Sequence, residues 1–373
     1  MDKHLHIVCL DVPYPPDYGG VFDLFYKIVT LHSKGLKIHL HCFEYGRGPK
    51  NELLKYCVEV NYYKRKTRIN ALLQGIPYIV SSRADKNLLE NLLKDDYPVL
   101  MEGIHCTYFL HKNKLANKKL FIRLHNVEYL YYRNLASAET SILKKIYFLV
   151  ESRLLKNYER NILAKALCIG VSENDIKTFR SEFGINNIKY LPVFLPYNSV
   201  NCQTGKGDFC LYHGNLSVTE NEKAVTWLVK NIFSVSGITF VVAGRDPSEK
   251  LIALVKKNKN ISIVANPSSE QMSDLLKTAQ VNILPSYNST GIKIKLLNAV
   301  FNGRHCLVNN EAVDGTGLEP LCHLAVGAND FKNALTVLIN KPFTQEDIDM
   351  RTQVLKDMFD NNKNAEALIQ WIY

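Results

Sequence analysis

The sequence lacks paired cysteines, long apolar runs and low-complexity tracts, and each absence excludes a class of protein. Its nine cysteines include no C-x-x-C pair, which argues against a zinc site or a disulfide framework. We therefore expect free, buried thiols in a reducing compartment. No apolar stretch is long enough to cross a bilayer, and the first residues pass straight into a strand pattern without a signal-peptide region. The sequence thus predicts a cytoplasmic protein.

The 373 residues carry a formal net charge of +10. Such a charge suits nucleic acid, an anionic membrane or an anionic small substrate. No nucleic-acid-binding signature is present, so nucleic acid is the least favoured of these partners. The segment 142–166 is basic and amphipathic and could dock peripherally on an anionic membrane. Such a helix more often packs on its own domain, and we favour that role here.

Short apolar strand patterns alternate with amphipathic helix patterns through most of the chain, as in parallel sheets covered by helices on both faces. In the second half the strand patterns include Ile261–Ala265 and His305–Val308, and the helix patterns include Ile292–Asn302 and Ser269–Thr278, with Ser269 as its cap. A polar segment without periodicity, 198–208, predicts a linker between a first domain at 1–197 and a second at 209–343. Helical patterns at 344–373 follow and could cross back to the first domain. We therefore predict an α/β protein with two doubly wound, Rossmann-like domains that face a ligand-binding cleft.

Two segments at predicted strand ends of the first domain carry candidate ligand-binding residues. Gly19 and Gly20 follow the first strand, where they would let the backbone approach an anion at a helix start, although an ordinary tight turn is equally consistent. His125 ends a later strand and could contact a sugar hydroxyl or support developing charge. Glu102 ends the strand before it and would face the same cleft. The structural alternatives are a histidine that caps a loop or satisfies buried backbone groups, and an ordinary turn glutamate.

A third segment, in the second domain, combines small polar residues, a glycine and two lysines at a helix start. Backbone N–H groups there favour an anion, and a lysine could neutralise a diphosphate leaving group. The residues are Ser289, Thr290, Gly291, Ile292, Lys293 and Lys295. Solvated lysines on a helix are the alternative interpretation.

Four short elements occur in a characteristic order: P-P-x-x-G-G at Pro15–Gly20, H-N-x-E at His125–Glu128, S-E-x-D at Ser172–Asp175 and G-x-K-x-K-x-L at Gly291–Leu297. In this respect the chain resembles the bacterial branch of glycosyltransferase family four. The resemblance implies the GT-B fold, transfer with retention, no catalytic metal and no bound cofactor. It also implies a nucleotide-diphosphate sugar, UDP- or GDP-linked, as co-substrate.

The resemblance also implies roles by position. His125 would contact the donor sugar. Glu102 joins it as a candidate catalytic residue because it ends the preceding strand, not because of the resemblance. Residues on the donor side would be Gly19, Gly20, Gly214, Asn215, Asn266 and the Ser289–Lys295 segment. Two departures stand out, because Thr290 and Asn298 occupy the places of two usual glutamates, and Gly214-Asn215 replaces a usual Gly-Arg. Phosphate neutralisation then rests on a basic residue chosen from Lys223, Arg245, Lys293 and Lys295.

The sequence therefore predicts a glycosyltransferase that moves a hexose-type sugar to a glycan or lipid-linked acceptor in polysaccharide biosynthesis. One alternative is a nucleotide-sugar epimerase of the same fold, for which His125 and Glu102 would have to supply acid and base. The other is a catalytically inactive protein that binds sugar nucleotides, which the missing glutamates would fit.

Overall fold

The computed structural model describes residues 2–17, 19–66, 75–139 and 141–373. The first sheet contains seven parallel strands in the spatial order β3-β2-β1-β4-β5-β6-β7. Its strands are β1 (His4–Cys9), β2 (Lys37–Glu44), β3 (Glu59–Lys64), β4 (Val99–Glu102), β5 (Leu120–Leu124), β6 (Leu167–Gly170) and β7 (Ile188–Tyr190). The order reverses between β1 and β4, which is the switch point where doubly wound sheets bind ligands.

Helices connect and cover these strands. They are α1 (Gly19–Ser33), α2 (Tyr78–Ser81), α3 (Lys86–Leu92), α4 (Tyr108–His111), α5 (Glu128–Ala138), α6 (Ile142–Ile162) and α7 (Glu173–Phe183). The strands read as continuous Ile, Val and Leu runs because both faces of the sheet are buried, one against the core containing Val8 and the other against the core containing Ile7.

The second sheet contains six parallel strands in the order β10-β9-β8-β11-β12-β13. These are β8 (Cys210–Asn215), β9 (Phe240–Arg245), β10 (Ile261–Ala265), β11 (Val281–Ile283), β12 (His305–Val308) and β13 (His323–Leu324). The helices are α8 (Thr219–Leu228), α9 (Ser234–Ser236), α10 (Glu249–Val255), α11 (Ser269–Thr278), α12 (Ile294–Asn302), α13 (Asn310–Val313), α14 (Gly327–Leu338), α15 (Gln345–Met358) and α16 (Asn361–Ile372).

The chain divides into two compact units. The first comprises the described residues up to Pro196 together with Thr290–Ile292 and Phe359–Tyr373, and the second comprises Tyr197–Ser289 and Lys293–Met358. The last helix, α16, therefore packs with the first sheet, where Ala365, Leu368 and Ile372 join its core.

Three details differ from the sequence-based expectation. The strand β7 was not predicted, because three residues with an exposed Lys189 give no apolar run. The helix α11 is capped by Ser268 rather than Ser269, in a capping box with Gln271. The helix α12 begins at Ile294 rather than Ile292, since Gly291 adopts a positive φ of 66° and Lys293 is extended.

All nine cysteines are free thiols, and seven of them are buried, as the sequence predicted. Among the described residues no helix is both long and apolar enough to span a membrane.

Candidate active site

The predicted histidine lies at the carboxyl end of the first sheet, next to the switch point. His125 directly follows β5, and Glu102 is the last residue of the neighbouring strand β4. Their side chains meet, with the His125 Nε2 atom 3.0 Å from the Glu102 Oε2 atom. The His125 side chain keeps 15% of its surface exposed, whereas that of Glu102 is fully enclosed.

Glu102 belongs to a buried network of charges that α1 completes. The Lys27 ammonium lies 2.8 Å from Glu102 and 3.1 Å from Asp23, and Arg123 lies 3.3 Å from Asp23. Burial alone raises the pKa of the Asp23 carboxyl, but Arg123 and Lys27 outweigh it and hold the pKa below its ordinary value. Burial also raises the pKa of the Glu102 carboxyl, but Lys27 and His125 outweigh this effect, so the pKa lies below its ordinary value. Both carboxyl groups therefore stay ionised at neutral pH although they are buried.

This geometry changes the role predicted for Glu102. The sequence placed it in contact with a ligand, but its carboxylate is enclosed and bonded to Lys27 and His125. Glu102 is therefore placed to fix the orientation of the His125 ring, while His125 alone of the pair reaches the surface. The sequence analysis missed Asp23 and Lys27. The sequence feature that could have revealed them is an acidic and a basic residue spaced i,i+4 within the apolar helix α1.

Three potential metal-ligand atoms cluster here, because Asp23, Glu102 and His125 each offer one within 4.8 Å of the others. The Lys27 ammonium already bridges the two carboxylates, however, and Arg123 also contacts Asp23. A divalent ion would add positive charge to carboxylates that these cations have neutralised, so the cluster does not fit a metal site.

The H-N-x-E element continues into the start of α5. The Glu128 and Tyr129 N–H groups donate to the carboxylate of Glu159, at 2.8 Å and 3.1 Å, which satisfies two free donors of this helix end. Burial raises the pKa of the Glu128 side chain to about 7, and a hydrogen bond with Asn126 partly offsets this rise. The element therefore anchors the loop that carries His125.

The S-E-x-D element contacts Thr290–Ile292, the short segment that packs with the first unit. Ser172 caps α7, and the Asp175 carboxylate accepts a hydrogen bond of 2.9 Å from the Gly291 N–H. A Cβ at Gly291 would clash with the Asn126 side chain and the His125 carbonyl, so only glycine fits. The sequence assigned the Gly291 N–H to a diphosphate, and that assignment needs correction because Asp175 already occupies this donor.

In the second unit, the predicted lysine lies beside the end of β8. The Lys295 ammonium donates to the Tyr212 hydroxyl at 3.0 Å and to the Asn221 amide oxygen at 2.9 Å. Burial lowers the pKa of Lys295 to about 8, although the nearby Glu220 opposes this shift. No described carboxylate forms an ion pair with Lys295, so the cation is held by two neutral oxygen atoms.

Gly214 lies beside this lysine, since a Cβ on it would come within 3.9 Å of the Lys295 Cδ atom. Its neighbour Asn215 accepts hydrogen bonds from the Ser217 backbone and hydroxyl through its side chain, and from Asn221 through its carbonyl. The β8 end, Asn221 and Lys295 therefore form one connected cluster. Tyr212 and Asn221 were missed by the sequence analysis, because nothing in their local pattern distinguishes them.

The other predicted donor-side residues occupy separate positions in the second unit. The Lys223 ammonium lies 4.7 Å from the centre of the Tyr287 ring. Asn266 has a positive φ of 51° and accepts a hydrogen bond of 2.9 Å from the Asp246 N–H, while Arg245 ends β9 with an exposed side chain. Asn298 is half-buried on α12, and its amide oxygen accepts a hydrogen bond of 2.8 Å from Tyr197.

The loop that precedes α12 is braced from within. Glu220 at the start of α8 accepts hydrogen bonds from the Ser286 hydroxyl at 2.9 Å and the Tyr287 N–H at 3.2 Å. Thr290 is buried and Ser289 is half-buried. In the first unit, Gly19 and Gly20 form the first two residues of α1, whereas the sequence predicted a helix that begins after them, at Val21. The adjoining Tyr18 lies outside the described residues.

Comparison with known proteins agrees with this architecture. Residues 207–340 match the family model described as Glycosyl transferases group 1. The solved structure of TarM superposes with a TM-score of 0.69 over 100% of this chain and 99% of its own, at 10% identity. The apo structure of the lipopolysaccharide outer core galactosyltransferase WaaB gives 0.65 over 100% of both chains, at 16% identity. The chain therefore has the GT-B fold, and its residues 207–340 resemble glycosyltransferases.

The chain also resembles a curated bacterial protein. It is 27% identical over 337 residues to the "Uncharacterized 44.6 kDa protein in cps region" of Klebsiella pneumoniae, which covers 83% of this chain and 84% of the relative. The group 1 match falls within the range of the second unit, which carries Gly214, Lys295 and Asn298. The expected fold class and the expected similarity to family-four glycosyltransferases are thus confirmed.

Proposed function

We propose that this protein is a glycosyltransferase that transfers a hexose-type sugar, with retention and without a catalytic metal, from a UDP- or GDP-linked donor to a glycan or lipid-linked acceptor. In the second unit, Lys295 binds the diphosphate of the nucleotide. In the first unit, His125 contacts a sugar hydroxyl. A role in polysaccharide biosynthesis is supported by the likeness to WaaB, which is named as a lipopolysaccharide galactosyltransferase.

The observation that carries this proposal is the state of Lys295. Its ammonium is fixed by Tyr212 and Asn221 next to Gly214, and no described carboxylate neutralises it as an ion pair. A cation held only by neutral oxygens is suited to a phosphate, which supplies the missing negative charge. Lys295 therefore fits the role of stabilising the diphosphate as it leaves.

His125 supports the sugar-binding part of the proposal. It is the partly exposed member of an otherwise buried charge network, so it can present a ring nitrogen to a ligand while Glu102 fixes its orientation. The same network supports metal independence, since Lys27 already bridges the carboxylates that a metal would need.

A donor panel tests the function. Full-length protein is incubated with UDP- and GDP-linked hexoses, with and without polysaccharide or lipid-linked acceptors, and nucleoside diphosphate release is measured for the wild type and for Lys295→Ala. Acceptor-dependent release that Lys295→Ala abolishes is expected. Interconversion of donor epimers would instead identify an epimerase, and tight nucleotide binding without turnover on any pair would identify an inactive binding protein.

A further inference from the structure

The helix α6 exposes an apolar stripe on the side that faces away from its own domain. Its large aliphatic side chains are 74% exposed at Ile142 and 82% exposed at Leu143, and three others are about half exposed. We call these residues the α6 patch: Ile142, Leu143, Ile146, Leu149 and Val150. They make up five of the sixteen most exposed large apolar side chains in the described chain, yet they fall within one short stretch of one helix. Scattered apolar residues are ordinary on a surface, whereas a contiguous group marks a contact surface.

The α6 patch and the packed face of the helix are opposite each other. At 100° per residue, the five side chains span an arc of about 120°. The buried side chains of α6 lie on the other side of the helix: Glu151, Ser152, Leu155, Tyr158, Glu159 and Ile162. That face is fixed by hydrogen bonds from the Ile79 N–H to Glu151 and from the α5 start to Glu159. Among the described residues, one face of α6 packs on its own unit, as the sequence analysis favoured, and the apolar face is left exposed.

The exposed charges that α6 itself carries are all positive. Lys145, Arg153 and Arg160 are exposed on or beside the same arc, and Lys144 is exposed in the first turn. The two carboxylates of α6, Glu151 and Glu159, are both buried on the opposite face. The outward face of this helix thus combines apolar side chains with cations and carries no acid.

We propose that the α6 patch docks this protein on the surface of an anionic lipid bilayer. The aliphatic side chains would enter the boundary between headgroups and acyl chains, and the flanking cations would contact lipid phosphates. A second copy of the chain is a poorer occupant, because a symmetric contact would place the same lysine and arginine side chains against each other. Membrane docking is separate from the proposed transfer reaction, and it does not depend on that reaction.

Vesicle co-sedimentation of the full-length protein tests the proposal. The vesicles contain either phosphatidylcholine alone or equal parts of phosphatidylcholine and phosphatidylglycerol, and binding is measured at low and high salt. We expect binding to the anionic vesicles that weakens as salt is raised, and little binding to the neutral ones. Absence of binding to anionic vesicles at low salt would overturn the proposal.

Two double variants locate the surface. Leu143→Gln with Ile146→Gln is expected to reduce partitioning by more than about tenfold, because it removes buried apolar area. Lys145→Gln with Arg153→Gln is expected to reduce it by about 30-fold, at roughly fivefold for each cation. All four side chains are exposed, so the fold should be retained, which circular dichroism would verify.

Matched controls come from the second unit. Val326→Gln with Val337→Gln removes two exposed aliphatic side chains, and Lys256→Gln with Lys257→Gln removes two exposed lysines. Both controls should bind vesicles within about twofold of the wild type. Equal losses in the controls and the α6 variants would overturn the assignment to α6.

A concentration-dependent dimer in size-exclusion chromatography that Leu143→Gln with Ile146→Gln abolishes would show instead that the patch is a contact between copies. Donor hydrolysis or transfer to a soluble acceptor should be unchanged in every variant, which separates this outcome from a failure of the proposed function.

Discussion

The pH dependence of donor binding is the sharpest test of the role of Lys295. Burial lowers the pKa of this lysine to about 8 in the free protein. The ammonium form, which binds a diphosphate, is therefore present below pH 8 and is lost as the pH rises through this value. At a pKa of about 8, the protonated fraction falls from about 0.9 at pH 7 to about 0.1 at pH 9. If binding requires the ammonium, affinity falls about tenfold across this interval.

Isothermal titration calorimetry with a nucleoside diphosphate or a nucleotide-sugar measures this slope of affinity against pH directly. Lys295→Ala should weaken binding by about 30-fold at pH 7, because one charge-assisted contact is worth about 2 kcal/mol. It should also remove the tenfold decline, so that any slope left in the variant reports titration of the ligand or of other groups. Lys256→Gln, which removes an exposed charge from the same unit, serves as the matched control and should retain both affinity and slope.

Two results would refute the reasoning. A wild-type affinity that is constant between pH 7 and pH 9, or a Lys295→Ala variant with the same slope as the wild type, would show that Lys295 does not bind the phosphate. The same measurements on Lys223→Ala and Lys293→Ala would then identify the residue that does.

Three further outcomes are expected. Asp23→Asn should lower the free energy of unfolding by about 3–5 kcal/mol in urea denaturation, because Lys27 and Arg123 lose a buried carboxylate. The control Asp96→Asn, at an exposed position, should change the free energy of unfolding little. A loss below about 1 kcal/mol in Asp23→Asn would contradict the buried charge network. Transfer activity should survive chelation by EDTA, and a loss that magnesium or manganese restores would contradict metal independence. Asn298→Glu should tighten nucleotide binding in calorimetry, since a carboxylate accepts ribose hydrogen bonds more strongly than an amide. A variant that binds every nucleotide no better would mean that Asn298 does not contact the ribose.

The alternation of apolar strand and helix patterns predicted the fold well, because both sheets are parallel and their central strands are buried. Two strands, β10 and β12, have the bounds that their apolar runs predicted, Ile261–Ala265 and His305–Val308. The helix α12 was extended too far toward its start, because the pattern Ile292–Asn302 is periodic although Lys293 is extended. Periodicity records which face is buried, but it does not record a backbone turn imposed by the loop before it.

The sequence predicted those residues of the candidate site that follow apolar runs, but not their partners on other elements. His125 and Lys295 stand out in the sequence because polar residues follow apolar runs. Their partners come from other elements, Asp23 from α1 and Tyr212 from within β8, and only the folded chain brings these together. The Gly291 N–H was assigned to a ligand for the same reason, because its partner Asp175 is distant in sequence.

The two lysines of the candidate sites show how one side-chain type is given opposite tasks. Lys27 lies between Asp23 and Glu102, so its charge is neutralised within the protein and it holds fixed the carboxylate that orients His125. Lys295 is bonded to a hydroxyl and an amide oxygen, which position the ammonium without neutralising it. Because a buried charge without a counter-ion is costly, a position such as that of Lys295 is retained at the expense of stability. An anionic ligand would offset that cost, whereas Lys27 needs none. The difference in partners, rather than the presence of a lysine at a strand or helix end, is what distinguishes the binding residue from the structural one.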